Sequence, residues 1–109
     1  AATRIEEITG HYPILYRPPY GSINPLVVRT VNAHGLTTVL WSLDSLDWTL
    51  KDPDAVVENV TSHIRNGDII LMHRNHVSVA ALPAVIDRLS KMGYTFVRLD
   101  ELLGIKAYR

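Results

Sequence analysis

The stretch WSLDSLDW, residues 41–48, joins the end of an apolar run to two carboxylates and a tryptophan. The run, rich in Val, Thr and Leu, predicts a buried strand over about residues 36–43. Asp44 and Asp47 lie three positions apart, and Trp48 follows directly. In barrels and open parallel sheets, functional sites collect at the carboxyl ends of strands. The stretch therefore predicts a strand that ends in chemically active side chains.

Two further apolar segments end in the same way. Residues 14–16 run into the sequence RPPYG at 17–21, and residues 69–72 run into His73. The carboxyl ends of parallel strands meet at one edge of a sheet, so these groups are expected on the same side of the domain.

Helical patterns alternate with the strands. Asn24-Pro25 and Asp52-Pro53 each place a capping residue before a proline at the first helical position. This alternation indicates an α/β fold with a parallel sheet and right-handed crossovers. The predicted strands are 14–16, 36–43, 69–72 and 94–98, and the predicted helices are 1–9, 24–35, 52–67, 78–93 and 100–103.

The number of strands indicates half of a barrel. Four parallel strands would make half of an eight-stranded barrel and leave its sheet edges open. The chain also starts in a helical pattern, with no strand before it. We expect residues 1–109 to be a single C-terminal part of a larger domain, with no second domain of their own.

The composition of the chain argues against several classes of function. The 109 residues are 47% apolar, which supports a packed core, and 11 basic residues balance 11 acidic ones to a net charge of +0. There is no basic excess to hold nucleic acid or a membrane surface. Cysteine is absent, which excludes disulfides and thiolate metal sites, and no apolar run reaches membrane-spanning length.

His73 and Asp47 are the first candidates for chemistry. A histidine in a polar loop is often structural, and an aspartate often starts a turn or caps a helix. Together they allow a second interpretation, because an aspartate hydrogen-bonded to a histidine fixes its tautomer and stabilises the imidazolium. Asp44 is a less favoured candidate for the same contact.

Four other residues carry open alternatives. Arg17 is either a surface residue before a stiff turn or an immobile guanidinium that holds a carboxylate. Tyr20 and Gly21 are either ordinary turn residues or a point of close backbone approach to a ligand. Trp48 fills a core or walls a pocket.

Two patterns are discounted. His73 and His76 lie three apart, but no third metal ligand stands near them. The sequence Asn59-Val60-Thr61 matches the glycosylation sequon, but it falls within a predicted helix and is interpreted as chance.

Three short motifs of this sequence resemble, in order and in approximate spacing, the third to fifth motifs of the polysaccharide deacetylases. They are RPPYG at 17–21, DSLDW at 44–48 and LMH at 71–73. This family is carbohydrate esterase family four, with the NodB-homology domain. The resemblance covers nearly the whole chain but only the C-terminal half of the family's domain, a distorted (β/α) barrel. The first two motifs, which carry the catalytic base and most metal ligands, are absent.

The resemblance implies a role for each matching residue. Arg17 would orient the catalytic base of the missing half, and the backbone N–H of Tyr20 would bind the oxyanion. Asp47 would hold and tune His73, the general acid. Trp48 and Leu71 would form the walls of the pocket that takes the acetyl methyl.

The resemblance further implies a metal-dependent enzyme of the cell envelope or extracellular space. It would remove N-acetyl groups from an N-acetylhexosamine polymer such as peptidoglycan or chitin. Its divalent ion, of the zinc or cobalt class, would be bound mainly by the N-terminal half, expected as a separate chain and needed for activity. The alternatives are O-deacetylation of acetyl xylan and a non-catalytic carbohydrate-binding piece.

Overall fold

A computed structural model describes all 109 residues, which form two compact units, Ala1–Leu40 with Arg98–Arg109 and Trp41–Val97. None of the helices has the length and apolar composition needed to span a bilayer. The elements, in chain order, are α1 Ala2–Thr9, β1 Leu15–Tyr16, a 3₁₀ turn Pro19–Gly21, α2 Pro25–Ala33, β2 Thr37–Thr38, β3 Leu43–Asp44, α3 Pro53–His63, β4 Ile70–Leu71, α4 His76–Lys91 and α5 Leu99–Leu103.

The first unit contains one strand–helix–strand repeat. β1 pairs in parallel with β2, with Leu15 opposite Thr37, and α2 lies between them in the chain. The predicted cap of α2 is confirmed, because the Asn24 side chain accepts a hydrogen bond from the N–H of Val27 at 2.8 Å. The cap satisfies one of the backbone donors that every helix leaves unpaired at its start.

The C-terminal segment closes the first unit around Tyr12. The N–H of Arg109 donates to the Tyr12 carbonyl at 3.0 Å, and an isolated antiparallel bridge joins Pro13 to Tyr108. The Arg109 guanidinium lies 4.0 Å from the centroid of the buried Tyr12 ring. This cation–π contact and the backbone bonds hold the C-terminal segment against the segment around Tyr12.

The second unit is a β3–α3–β4–α4 repeat with the main hydrophobic core. β3 and β4 are parallel, with Leu43 opposite Ile70 and Asp44 opposite Leu71. Asp52 caps α3, and Asn75 caps α4. The two helices pack against each other through residues that are almost fully buried. These residues are Val56, Val57 and Val60 of α3 and Ala81, Val85 and Leu89 of α4.

Two predicted strands differ in the structure. The predicted strand 36–43 is interrupted, and its two ends form β2 and β3 with different partners. The prediction of a strand at 94–98 is wrong, because no strand pairs with this segment. Its first N–H, that of Tyr94, donates back to the Leu89 carbonyl at the end of α4. Side-chain alternation alone does not make a strand when no neighbouring backbone is present to pair with it.

We expect Leu89→Ala to lower the free energy of unfolding by about 2–5 kcal/mol, because it leaves a cavity in a site with 1% exposure. The matched control is Leu82→Ala in the same helix, where the side chain is 45% exposed and the loss should be much smaller. Urea titrations of both variants measure the difference. Equal losses would show that the two helices do not form the core described here.

Candidate active site

The register of β3 and β4 brings two polar loops together. Asp44 and Leu71 are paired at the carboxyl ends of these parallel strands. The N–H of Ser45 then donates to the Leu71 carbonyl at 3.2 Å, which carries the pairing one residue further. The chain after β3 therefore runs beside the chain after β4, and Asp47 lies next to His73.

Asp47 and His73 form the centre of the site. The ring Nδ1 of His73 lies 2.8 Å from Oδ1 of Asp47. The backbone N–H of His73 donates to Oδ2 of the same carboxylate, and the Ser78 hydroxyl donates to that oxygen as well. Asp47 is 2% exposed, whereas the His73 side chain is 34% exposed. A buried carboxylate thus binds Nδ1 of the His73 ring, and Nε2 of the same ring makes no hydrogen bond within the chain.

The surroundings of Asp47 favour its charged form. Burial by itself raises the pKa of this carboxyl, because water is removed from the charge. The hydrogen bonds from the Ser78 hydroxyl and from the His73 ring and backbone outweigh burial, and together they hold the pKa of Asp47 below its ordinary value. Asp47 is therefore a carboxylate near neutral pH and accepts all three hydrogen bonds.

Leu46 turns the chain between the two aspartates. Its φ is +60°, in the left-handed region that non-glycine residues rarely adopt. The N–H of Leu46 donates to Oδ1 of Asp44 at 2.9 Å, which closes the local turn. Asp44 is thus engaged in the turn, and the structure places Asp47 against His73 in its stead.

Helix α3 supports this turn through Asn59. The side-chain amide of Asn59 donates to the carbonyls of Asp44 and Ser45, each at 3.0 Å. Thr61, the third residue of the sequon, is buried and its hydroxyl donates to the Val57 carbonyl within α3. The sequon residues therefore have structural roles in the folded chain.

The two predicted pocket residues differ in exposure. The Trp48 side chain is 68% exposed, and its ring stands edge-on to the His73 ring with centroids 5.5 Å apart. Leu71 lies in β4 and is 6% exposed. Trp48 is thus available to a ligand beside His73, whereas Leu71 is buried in β4. Their role as walls of an acetyl pocket stays a prediction.

Arg17 and Tyr20 belong to the first unit, where they follow β1. Arg17 is exposed and forms no ion pair within the chain, and Pro18 beside it is buried. Tyr20 has a φ of +59° within the 3₁₀ turn. The N–H groups of Gly21 and Ser22 donate to proline carbonyls, whereas that of Tyr20 has no acceptor in the chain. The turn thus leaves one cation and one backbone donor available to bind other groups.

Sequence reasoning missed Ser78. The helix was expected to start near this residue, but α4 begins at His76, and the cap is Asn75, whose side chain accepts from the N–H of Ser78 at 2.8 Å. Asn is a preferred N-cap residue, so Asn75 could have placed Ser78 in the first turn. No pattern in the sequence shows that its hydroxyl reaches Asp47.

The residues of this chain do not provide a metal site. No group of three or more His, Cys, Asp or Glu side chains is arranged to hold an ion. The divalent ion that the family resemblance implies therefore has no complete ligand set within this chain.

Replacing Asp47 by Asn should remove a stability contribution that depends on pH. Because the pKa of Asp47 is lower in the folded chain, its contribution is complete well above the ordinary value of 3.8 and is lost as pH falls through the folded-state value. The unfolding free energies of the parent chain and Asp47→Asn should therefore differ most near neutral pH and begin to converge below about pH 4. Denaturant titrations between pH 2.5 and 7 test this, with ~0.5-unit steps.

The exposed Asp87→Asn, which removes one carboxylate from a surface ion pair with Lys91, controls for the loss of charge. A stability difference between the parent chain and Asp47→Asn that stays constant down to the lowest pH would contradict the low pKa of Asp47.

Several curated proteins similar to this chain are described as deacetylases of polysaccharides. A peptidoglycan-N-acetylglucosamine deacetylase of Bacillus cereus is 40% identical over 100 residues, which cover 86% of this chain and 47% of that protein. A protein of the same description, PgdA of Listeria monocytogenes, is 38% identical over 90% of this chain and 21% of its own length. A bifunctional xylanase/xylan deacetylase of Cellvibrio japonicus is 41% identical over 56% of this chain and 9% of its own length. The chain thus spans less than half the length of these relatives.

Solved structures agree in fold. The peptidoglycan N-acetylglucosamine deacetylase Bc1960 superposes with a TM-score of 0.90 and 28% identity, over 99% of this chain and 53% of that one. BA3943 of Bacillus anthracis, described as a CE4 family pseudoenzyme, gives a TM-score of 0.86 and 31% identity over 94% of this chain and 36% of that one. No protein-family model matches.

These likenesses confirm the predicted fold class, α/β and part of a distorted (β/α) barrel. By sequence and by fold, this chain belongs to the polysaccharide deacetylases of carbohydrate esterase family four, of whose domain it forms a part.

Proposed function

We propose that this chain supplies the general-acid and oxyanion-binding side of a metal-dependent deacetylase. The enzyme would hydrolyse N-acetyl groups of an N-acetylhexosamine polymer, with peptidoglycan as the first candidate because the relatives described above carry that name. The single observation that carries the proposal is the buried Asp47 carboxylate bound to Nδ1 of a partly exposed His73.

His73 would protonate the leaving amine. Asp47 holds the proton on Nδ1, so a second proton on Nε2 gives an imidazolium stabilised by the adjacent charge. When the tetrahedral intermediate collapses, the C–N bond breaks, and the Nε2 proton passes to the departing nitrogen. The free amine of the sugar and acetate are the products. Amide hydrolysis needs this step because an unprotonated amine is a poor leaving group.

Arg17 and Tyr20 would act as the family resemblance implies. The Tyr20 N–H, which has no acceptor in the chain, is suited to donate to the oxyanion formed from the amide carbonyl. The exposed Arg17, without an ion pair in the chain, is suited to hold the catalytic-base carboxylate of the N-terminal half.

The remaining parts of the enzyme would come from outside this chain. The divalent ion, of the zinc or cobalt class, would bind chiefly to the N-terminal half of the domain, which we expect as a separate chain required for activity. A peptidoglycan substrate would place the enzyme in the cell envelope or the extracellular space. The ion's contribution, when bound, would be to polarise the amide carbonyl.

The proposal is tested on an N-acetylglucosamine oligomer with this chain, the N-terminal half and the metal present. We expect His73→Ala to lower kcat by about 10²–10⁴-fold, as for loss of a general acid. Asp47→Asn should also lower kcat, but adding it to His73→Ala should cost little more, because residues that act as one unit are not additive. Release of acetate measures all four rates. Fully additive losses would contradict the pairing of Asp47 with His73.

O-deacetylation is a second candidate function, favoured by the similarity to the xylan deacetylase. An alkoxide leaves a tetrahedral intermediate more readily than an amine anion, so ester hydrolysis depends less on a general acid. An O-acetylated xylo-oligomer is the matching substrate for the assay above. Turnover that favours this ester, with a small effect of His73→Ala, would support the second candidate over the first.

A non-catalytic role is the third candidate, because BA3943 is described as a pseudoenzyme of this family. It predicts glycan binding without acetate release, even when the N-terminal half and the metal are present. Binding that is unchanged in His73→Ala, with no turnover in the parent protein, would support it.

Replacing Arg17 by Lys keeps the charge but removes the planar fork that binds a carboxylate with two hydrogen bonds. If Arg17 holds the catalytic base, turnover should fall strongly while the metal content stays normal. Arg29→Lys, an exposed change in α2, is the matched control. Acetate release and elemental analysis of the purified enzyme measure the two quantities. Unchanged turnover in Arg17→Lys would remove Arg17 from the site.

A further inference from the structure

Ser78 reaches Asp47 from the first turn of α4. The residue is 3% exposed, and its hydroxyl donates to Oδ2 of Asp47. Its backbone N–H is bound by the side chain of Asn75 at 2.8 Å, which fixes the start of the helix. The hydroxyl is therefore presented to the carboxylate from a rigid position.

This hydroxyl differs from the other donating hydroxyls in the helices. Those of Thr9, Thr30 and Thr61 each donate to the carbonyl four residues earlier in their own helix, and that of Ser62 donates to the carbonyl three residues earlier. Ser78 lies in the first turn, where the residue four positions earlier precedes the helix. Its hydroxyl is thus free to bind outside α4, and it binds Asp47.

Different donors bind the two carboxylate oxygens of Asp47. The backbone N–H of His73 can only donate, and it shares Oδ2 with the Ser78 hydroxyl. Oδ1 is left to Nδ1 of the His73 ring. The last torsion of an aspartate side chain is broad, so the carboxylate plane is set by its hydrogen bonds and not by rotamer preference.

We infer that Ser78 is a positioning residue of the deacetylase site, whose hydroxyl fixes the plane of the Asp47 carboxylate so that Oδ1 faces Nδ1 of His73. The inference rests on the proposed function for its effect on rate, but its effect on the hydrogen bond is independent of activity. In this arrangement the position of the first turn of α4 determines how the general acid His73 is oriented.

The first experiment follows the Nδ1 proton of His73 by NMR in the ¹⁵N-histidine-labelled chain, with His73→Gln used to assign the signal. A proton held by a carboxylate resonates downfield and exchanges slowly with water. In Ser78→Ala we expect an upfield shift and faster exchange. Thr61→Val, which removes another buried hydroxyl away from Asp47, is the matched control and should leave the signal unchanged.

The second experiment measures kcat and KM in the assembled enzyme. Loss of a hydrogen bond that orients a catalytic group typically costs about 10-fold or more, so Ser78→Ala should lower kcat by about that factor with KM unchanged. In a His73→Ala background the same change should cost little. Ser78→Thr, which keeps the hydroxyl, should restore both kcat and the NMR signal, and Ser90→Ala on the same helix should behave as the parent.

The two experiments separate the inference from the proposed function. An altered Nδ1 proton signal in Ser78→Ala, in a protein without any turnover, would support the positioning role and reject the deacetylase function. Normal His73-dependent turnover, with an Nδ1 signal and kcat unaffected by Ser78→Ala, would overturn the positioning role and leave the function standing. A Ser78→Thr variant that restores neither readout would also count against it.

Discussion

The buried carboxylate of Asp47 is the constraint on which the second unit depends. An ionised group removed from water costs several kcal/mol unless charge partners and hydrogen bonds compensate for it. Here the compensation comes from the His73 backbone, the His73 ring and the Ser78 hydroxyl. These donors are available only if the β3–β4 register and the start of α4 are correct, so the charge ties strand pairing to helix position.

That Asp47 and His73 lie at the same edge of the sheet could be predicted from the sequence, because it follows from a general property of parallel sheets. Apolar runs identify strands, and the residues directly after parallel strands share one edge. The helix starts at Asn24 and Asp52 could also be predicted from the sequence. An Asn or Asp side chain caps the first turn of a helix, and proline suits the first helical position after it. Arg17 and Tyr20 are different, because motif resemblance singled them out for their roles.

The features that could not be predicted depend on contacts distant in sequence or on unusual backbone. The segment 94–98 alternates like a strand, but pairing requires a neighbour, and the sequence of a strand does not specify its partner. Leu46 carries no signal for a left-handed φ, which residues of its type normally avoid. The sequence favoured Asp47 over Asp44 as the partner of His73, but it gave no sign of the turn at Leu46 that engages Asp44.

The two hydrogen bonds of the Asn59 amide have a practical consequence for producing the protein. Asn59 begins a glycosylation sequon, and its side-chain nitrogen donates to the carbonyls of Asp44 and Ser45. An oligosaccharide attached to that nitrogen before the chain folds would be too bulky to lie between α3 and these carbonyls. Glycosylation in a eukaryotic secretory host would thus remove at least one of the two hydrogen bonds that support the turn before Asp47, whereas a bacterial host without this modification keeps the amide free to make both bonds.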